Sequence, residues 1–214
     1  MHSLVIFDFD GTLGDTHRCT TATLDAVFND SGHGHVTQEM MIPLFGSPLE
    51  LFVATFLGDA SSPDLIAELT AQYRMRYPDF VAENTRLYPG IRELLDELAN
   101  RKILCAIATT KTTHLAEVSC DFLGISRYFH MVIGIDKVTH PKPDAETANQ
   151  ILEQLKVKPA DALVVGDSRF DIGLGHSAGI ESIAVTWGSY SEAELRNYKP
   201  TAVISKPSEL LQYL

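Results

Sequence analysis

Short, uninterrupted apolar runs alternate with stretches of helical periodicity along most of this chain. The runs fall at residues 4–9, 103–109, 131–135, 162–165, 182–186 and 202–204. They are brief, often β-branched, and lack the in-out alternation of a half-exposed strand. Each therefore predicts a strand covered on both faces. Between them, helical patterns recur near 90–100, 112–123, 144–155, 169–178 and 207–213. Strand and helix in alternation predict a doubly wound, mostly parallel α/β sheet.

One segment breaks the alternation. From residue 14 to about 86 the periodicity is helical, with no convincing strand, and helices are expected over 16–30, 37–44, 49–56 and 63–77. Ser62-Pro63-Asp64 is a good helix start, an N-cap serine followed by proline at the first helical position. Pro78 is expected to end or kink that helix, and residues 58–63 read as a loop. The simplest architecture inserts an α-helical domain, 14–86, into an α/β core made of 1–13 and 87–214. The two ties lie near Gly14 and near residues 86–90.

Composition narrows the function. The chain has 214 residues, of which 45% are hydrophobic, enough for a packed core. Its net charge of −11 makes it a poor partner for nucleic-acid polymers or an anionic membrane surface. No apolar run approaches the roughly 20 residues that span a bilayer, and no signal pattern opens the sequence. Cys19, Cys105 and Cys120 show no CxxC spacing and read as free thiols in a reducing cytoplasm.

The chemistry collects at the ends of the apolar runs. The first ends in Asp8-Phe-Asp10-Gly11-Thr12. Burying two unpaired carboxylates is costly, so a bound cation is the simplest compensation. Three more clusters follow later strands: Thr109-Thr110-Lys111, Pro141-Lys142-Pro143, and Gly166-Asp167 with Asp171. In an open parallel sheet these ends share one edge, where ligands bind. Three carboxylates suit a hard cation such as Mg2+. A cation, a lysine and backbone N–H groups are what a transferring phosphoryl group requires.

With Asp-x-Asp-Gly-Thr, a later Lys and Gly-Asp-x-x-x-Asp in order, the chain resembles the haloacid dehalogenase superfamily across nearly its whole length. The resemblance implies a Rossmann-like core with a helical C1 cap, nearest to phosphoglycolate-phosphatase-like and β-phosphoglucomutase-like members. It implies that Asp8 is the nucleophile and that Asp10 is the general acid, then base. Mg2+ would rest on Asp8, Asp10 (through its backbone carbonyl) and Asp167, with Asp171 supporting the metal's waters or Lys142 from close by. Gly11, Thr109, Thr110 and Lys142 would hold the phosphoryl group. Aspartate at position 10 argues against dehalogenation, because the dehalogenase members lack it. Thr110 stands where asparagine is frequent, Ala145 where a second proline is, and Gly14 where a bulkier apolar residue is usual.

The activity so implied is a Mg2+-dependent phosphatase acting on a small phosphorylated metabolite, with a phosphomutase as the alternative and a non-catalytic binding protein as a third reading. The expected protein is cytoplasmic, a monomer or weak homodimer. Substrate choice is expected from Thr16, His17, Gly46 and Ser47, with helix capping as an equal reading for Thr16. Arg74 and Arg76 read first as a solvated helix face and second as partners for a substrate carboxylate. His33 and His35 read as a polar turn, Trp187 as packing, and Lys111 as support for its cluster away from the phosphate.

Overall fold

The computed structural model describes residues 2–214; Met1, which the sequence reading placed in the core, lies outside them. Six parallel strands form one sheet: β1 (Leu4–Phe7), β4 (Leu104–Ala108), β5 (Met131–Ile133), β6 (Ala162–Gly166), β7 (Glu181–Val185) and β8 (Ala202–Ile204). Their order is β5-β4-β1-β6-β7-β8. The chain steps from β1 to one side, through β4 and β5, then returns to β6 on the other. β1 is therefore central, and its carboxyl end lies at the crevice where the order reverses.

Both faces of the sheet are covered. Val5, Phe7, Leu163, Val165 and Ile183 pack with α5 (Ile91–Asn100) and α6 (Thr113–Leu123) on one side. Leu4, Ile6, Ala106, Ala108 and Val164 pack with α7 (Glu146–Leu155) and α8 (Arg169–Ala178) on the other. Alternate strand residues point to opposite faces, so a strand buried on both must be apolar throughout.

The helical segment comprises α1 (His17–Asp30), α2 (Gln38–Met41), α3 (Leu49–Leu57) and α4 (Pro63–Asn84). It has its own apolar cluster, built on Leu24, Phe28, Phe52, Leu69, Tyr73 and Tyr77, which Leu115 of α6 joins. Ser62 caps α4, its hydroxyl accepting from Leu65 N–H at 3.3 Å.

Three features differ from the sequence expectation. Helix α4 runs through Pro78 to Asn84, because Tyr73, Tyr77 and Val81 form one buried stripe that packing holds together. The segment is tied to the core by a two-stranded antiparallel ribbon, β2 (Gly14–Asp15) with β3 (Arg86–Leu87), too short for any periodicity to mark. A short helix, α9 (Glu192–Asn197), begins at a Ser191/Glu194 capping box. Among the described residues, no helix is long and apolar enough to cross a membrane.

Candidate active site

β1 delivers Asp8 and Asp10 to the carboxyl edge of the sheet. Asp8 is buried, and its backbone N–H donates to Val165 O at 2.8 Å, continuing the β1–β6 pairing. The chain then turns at Gly11, whose φ of +84° suits glycine. A Cβ there would stand 2.3 Å from Asp167 Oδ2, so the turn and the neighbouring carboxylate are built around its absence.

Lys142 reaches this edge from the loop between β5 and α7. Its buried ammonium donates to Asp8 Oδ1 at 2.8 Å, to Asp171 Oδ1 at 2.6 Å and to the Ala108 carbonyl at 2.9 Å. Asp171 also accepts from Ser168 N–H and hydroxyl at 3.0 and 2.6 Å, in the capping box that starts α8. Asp167 accepts from Ser189 N–H at 2.7 Å and from the Thr12 hydroxyl at 3.4 Å. Trp187 packs against the core beside this loop, its indole N–H donating to Thr12 O at 3.0 Å.

Carboxylate oxygens of Asp8, Asp167 and Asp171 lie within 4.8 Å of one another, all buried. Burial pushes the Asp8 carboxyl well above its ordinary range; Lys142 opposes this, and Asp171, Asp167 and Asp10 add to it. Burial, reinforced by Asp171, pushes Asp167 up to about 6. Burial alone would lower the Lys142 ammonium, but Asp171 and Asp8 outweigh it and hold it above its usual value. Asp8 and Asp171 thus share one lysine, and Asp167 forms no ion pair among the described residues. The surplus of buried oxygen donors fits a hard divalent cation.

Asp10 belongs to a second set of contacts. It accepts from the Thr16 hydroxyl and lies 3.0 Å from Lys111 Nζ. Lys111 also donates to the Tyr77 hydroxyl at 3.0 Å and stands over that ring at 4.2 Å. Burial draws the Lys111 ammonium down, yet Asp10 outweighs it and the net shift is upward. The backbone N–H of Lys111 donates to Thr109 Oγ1 at 3.1 Å, which fixes the buried hydroxyl at the end of β4.

Asp8, Asp10, Thr110 and Lys111 form the floor of a cavity whose roof carries Phe45, Gly46, Ser47, Tyr73 and Arg74. Gly46 has φ +88°, and a Cβ there would lie 3.1 Å from Ser168 Cβ, so the roof loop touches the core at a residue with no side chain. Thr16 and His17 do not line this cavity. Thr16 opens α1 without a side-chain capping bond and spends its hydroxyl on Asp10. The His17 ring stacks on Phe45 at 3.8 Å, with Nε2 3.0 Å from Ser189 Oγ. His35 pairs with Asp25 at 3.0 Å and His33 packs on Phe28, and the metal-ligand group found among the described residues does not include either.

Sequence reading missed the Asp10 contact of Lys111 and the role of Ser189. Lys111 directly follows the hydroxyl pair at the end of β4, and that position was the available signal. Nothing in the sequence around Ser189 linked it to Asp167.

The molecule is similar to known proteins over nearly its full length. Residues 5–185 match the family model described as haloacid dehalogenase-like hydrolase. Pyrophosphatase PpaX of Bacillus mycoides (strain KBAB4) is 31% identical over 210 residues, covering 98% of this chain and 95% of the relative. A haloacid dehalogenase-like family hydrolase of Streptococcus pneumoniae has a TM-score of 0.85 at 31% identity, covering 99% of this chain and 98% of that one. A predicted phosphoglycolate phosphatase of Haemophilus somnus 129pt shares the fold, with a TM-score of 0.91 at 22% identity, covering 99% and 97% of the two chains.

Proposed function

This chain belongs to the haloacid dehalogenase-like hydrolases, and we propose that it is a Mg2+-dependent phosphatase of a small-metabolite phosphomonoester, working through an aspartyl-phosphate. The observation that carries this reading is the group of three buried carboxylates, two of them on one lysine, beside a cavity that also holds Asp10.

In this reading an Asp8 oxygen attacks phosphorus and the bond to the ester oxygen breaks. The departing oxygen takes its proton from Asp10. Asp10, now a carboxylate, removes a proton from water, which attacks the aspartyl-phosphate and returns Asp8 with free phosphate. The Lys111 contact holds the Asp10 carboxyl in place at the cavity floor. Attack by an anion on an anion needs compensating charge. Lys142 supplies part of it. Mg2+, held by Asp8, Asp167 and the Asp10 carbonyl, would neutralise charge on the phosphoryl oxygens. Asp171 would keep Lys142 in place, and Thr109, Thr110 and the backbone at Gly11 would receive the phosphoryl oxygens. Residues 14–86 would act as the cap over a core of 1–13 and 87–214. Gly46 and Ser47 then offer the roof through which the cap shapes substrate choice.

The name of the Bacillus relatives adds inorganic pyrophosphate to the substrates worth testing. The deciding experiment measures phosphate release from a panel of phosphate esters and pyrophosphate with Mg2+, wild type against Asp8→Asn. Loss of at least about a thousandfold in the variant is expected, the scale of removing a nucleophile. Equal release by both proteins would sink the aspartyl-phosphate. Isomerised sugar phosphate without net phosphate release would replace the hydrolytic reading with a mutase.

A further inference from the structure

The cavity over Asp8 has one charged residue in its roof. Arg74, on the helical segment's longest helix, lines it opposite Asp8, Asp10 and Lys111. The other roof residues are apolar, small or neutral: Phe45, Gly46, Ser47, Phe52 and Tyr73.

The two lysines of the site are taken up by its own carboxylates, whereas Arg74 makes its ion pair outside the cavity. Lys142 is held by Asp8 and Asp171, and Lys111 by Asp10. Arg74 gives one Nη2 contact, at 2.6 Å, to Glu50, a carboxylate outside the cavity lining and itself 44% exposed. Its Nε is buried and has no hydrogen-bond partner among the described residues. Buried N–H groups are rarely left unpaired, and a guanidinium presents its donors as a planar fork that matches a carboxylate or phosphoryl group. Glu50 therefore steadies the guanidinium from outside while Nε keeps its bonding capacity unspent. The cavity itself is small, about 60 Å3, room for a few water-sized positions.

We propose that Arg74 determines specificity by binding a second anionic group of the substrate, a carboxylate or a second phosphoryl, joined by a short link to the phosphate that Asp8 attacks. This rests on the phosphatase reading and narrows its substrate class to small molecules with two anionic ends. Neutral esters leave the Arg74 Nε without an acceptor of matching charge and are the poorer substrates.

The test uses inert ligands first, so that binding is read apart from turnover. Calorimetry in Mg2+ compares phosphonoacetate, which has a second anionic end, with propylphosphonate, of similar size and a neutral end. Wild type binds phosphonoacetate the more tightly. Arg74→Gln weakens phosphonoacetate by about 30-fold, the scale of lost charge-assisted hydrogen bonds, and changes propylphosphonate less than about threefold. Arg74→Lys restores part of the preference. Glu50→Gln, which keeps the arginine and removes the carboxylate that steadies it, weakens phosphonoacetate by less than Arg74→Gln does and leaves propylphosphonate unchanged. Thermal melting of each variant separates a lost contact from a lost fold. No preference in wild type, or equal weakening of both ligands in Arg74→Gln, would overturn the proposal. Kinetics with 2-phosphoglycolate and pyrophosphate then tell carboxylate from second phosphoryl. An Arg74-dependent binding preference with no hydrolysis of any ester would leave the subsite standing and remove the phosphatase reading. Hydrolysis with no such preference would do the reverse.

Discussion

Asp8 and Asp171 share the Lys142 ammonium at 2.8 and 2.6 Å, both nearly sealed from solvent. Lys142→Met would leave two buried carboxylates without their common cation. The metal-free variant is expected to lose about 3–5 kcal/mol of stability, read by urea denaturation, the scale of breaking a buried pair on one side. A loss below about 1 kcal/mol would mean that water already reaches these groups. His17 gives a second prediction. Burial lowers the pKa of its imidazole, so the folded protein favours the neutral ring. A group shifted down in the folded state stabilises fully above its unfolded value, near 6.5, and that stabilisation is lost as pH falls below it. Melting temperature should therefore drop on acidification below about pH 6.5, and His17→Phe, which keeps an aromatic ring against Phe45, should flatten that part of the curve. An unchanged slope would move the effect to another group. Single residues were legible in proportion to how local their signal was. Asp8, Asp10 and Asp167 end apolar strands, where a carboxylate has no structural use, and Lys142 could be matched to them by motif. Arg74, Lys111 and Ser189 take their meaning from partners 24, 101 and 22 residues away in sequence, and no local pattern encodes such meetings.

At the scale of elements, α4 shows packing outweighing propensity. Pro78 lacks the N–H that would reach the Arg74 carbonyl, yet the helix continues to Asn84. Tyr73, Tyr77 and Val81 recur every four residues on its buried face, while Pro78 is exposed. Pro78→Ala should restore the hydrogen bond without disturbing that face. A stability gain of about 1–3 kcal/mol is expected by chemical denaturation, less what proline contributes by stiffening the unfolded chain. A loss would show that the local backbone geometry, and not only the missing donor, suits proline. The core strands were readable because burial on both faces makes them continuously apolar. The Gly14–Asp15 and Arg86–Leu87 ribbon was not, since two residues per strand carry no period. The Ser191/Glu194 capping box of α9 was a usable start signal that the weak periodicity after it obscured.

The molecule as a whole stores acidic charge where its sheet order reverses. Any cation that binds the folded edge and not the unfolded chain must raise stability by mass action, by about 2.7 kcal/mol at a hundred times its dissociation constant. Melting temperature should climb with Mg2+ concentration in the wild type, and the climb should shrink in Asp167→Asn. A rise of the same size in both proteins would place the ion elsewhere. Fold class was legible at this scale because alternation of strand and helix is a long-range pattern that survives errors at individual boundaries.

The β2–β3 ribbon carries one more consequence. The chain leaves the sheet at Gly14 and comes back at Leu87, and these two residues are paired neighbours. Everything between them is a detour that starts and finishes at the same doorway. Such a module can be lengthened, traded for another or trimmed to a tight turn while the carboxyl edge of the sheet keeps its chain path. On the cap reading proposed above, evolution, or an engineer, is thereby free to rewrite what the site admits without rewriting its chemistry.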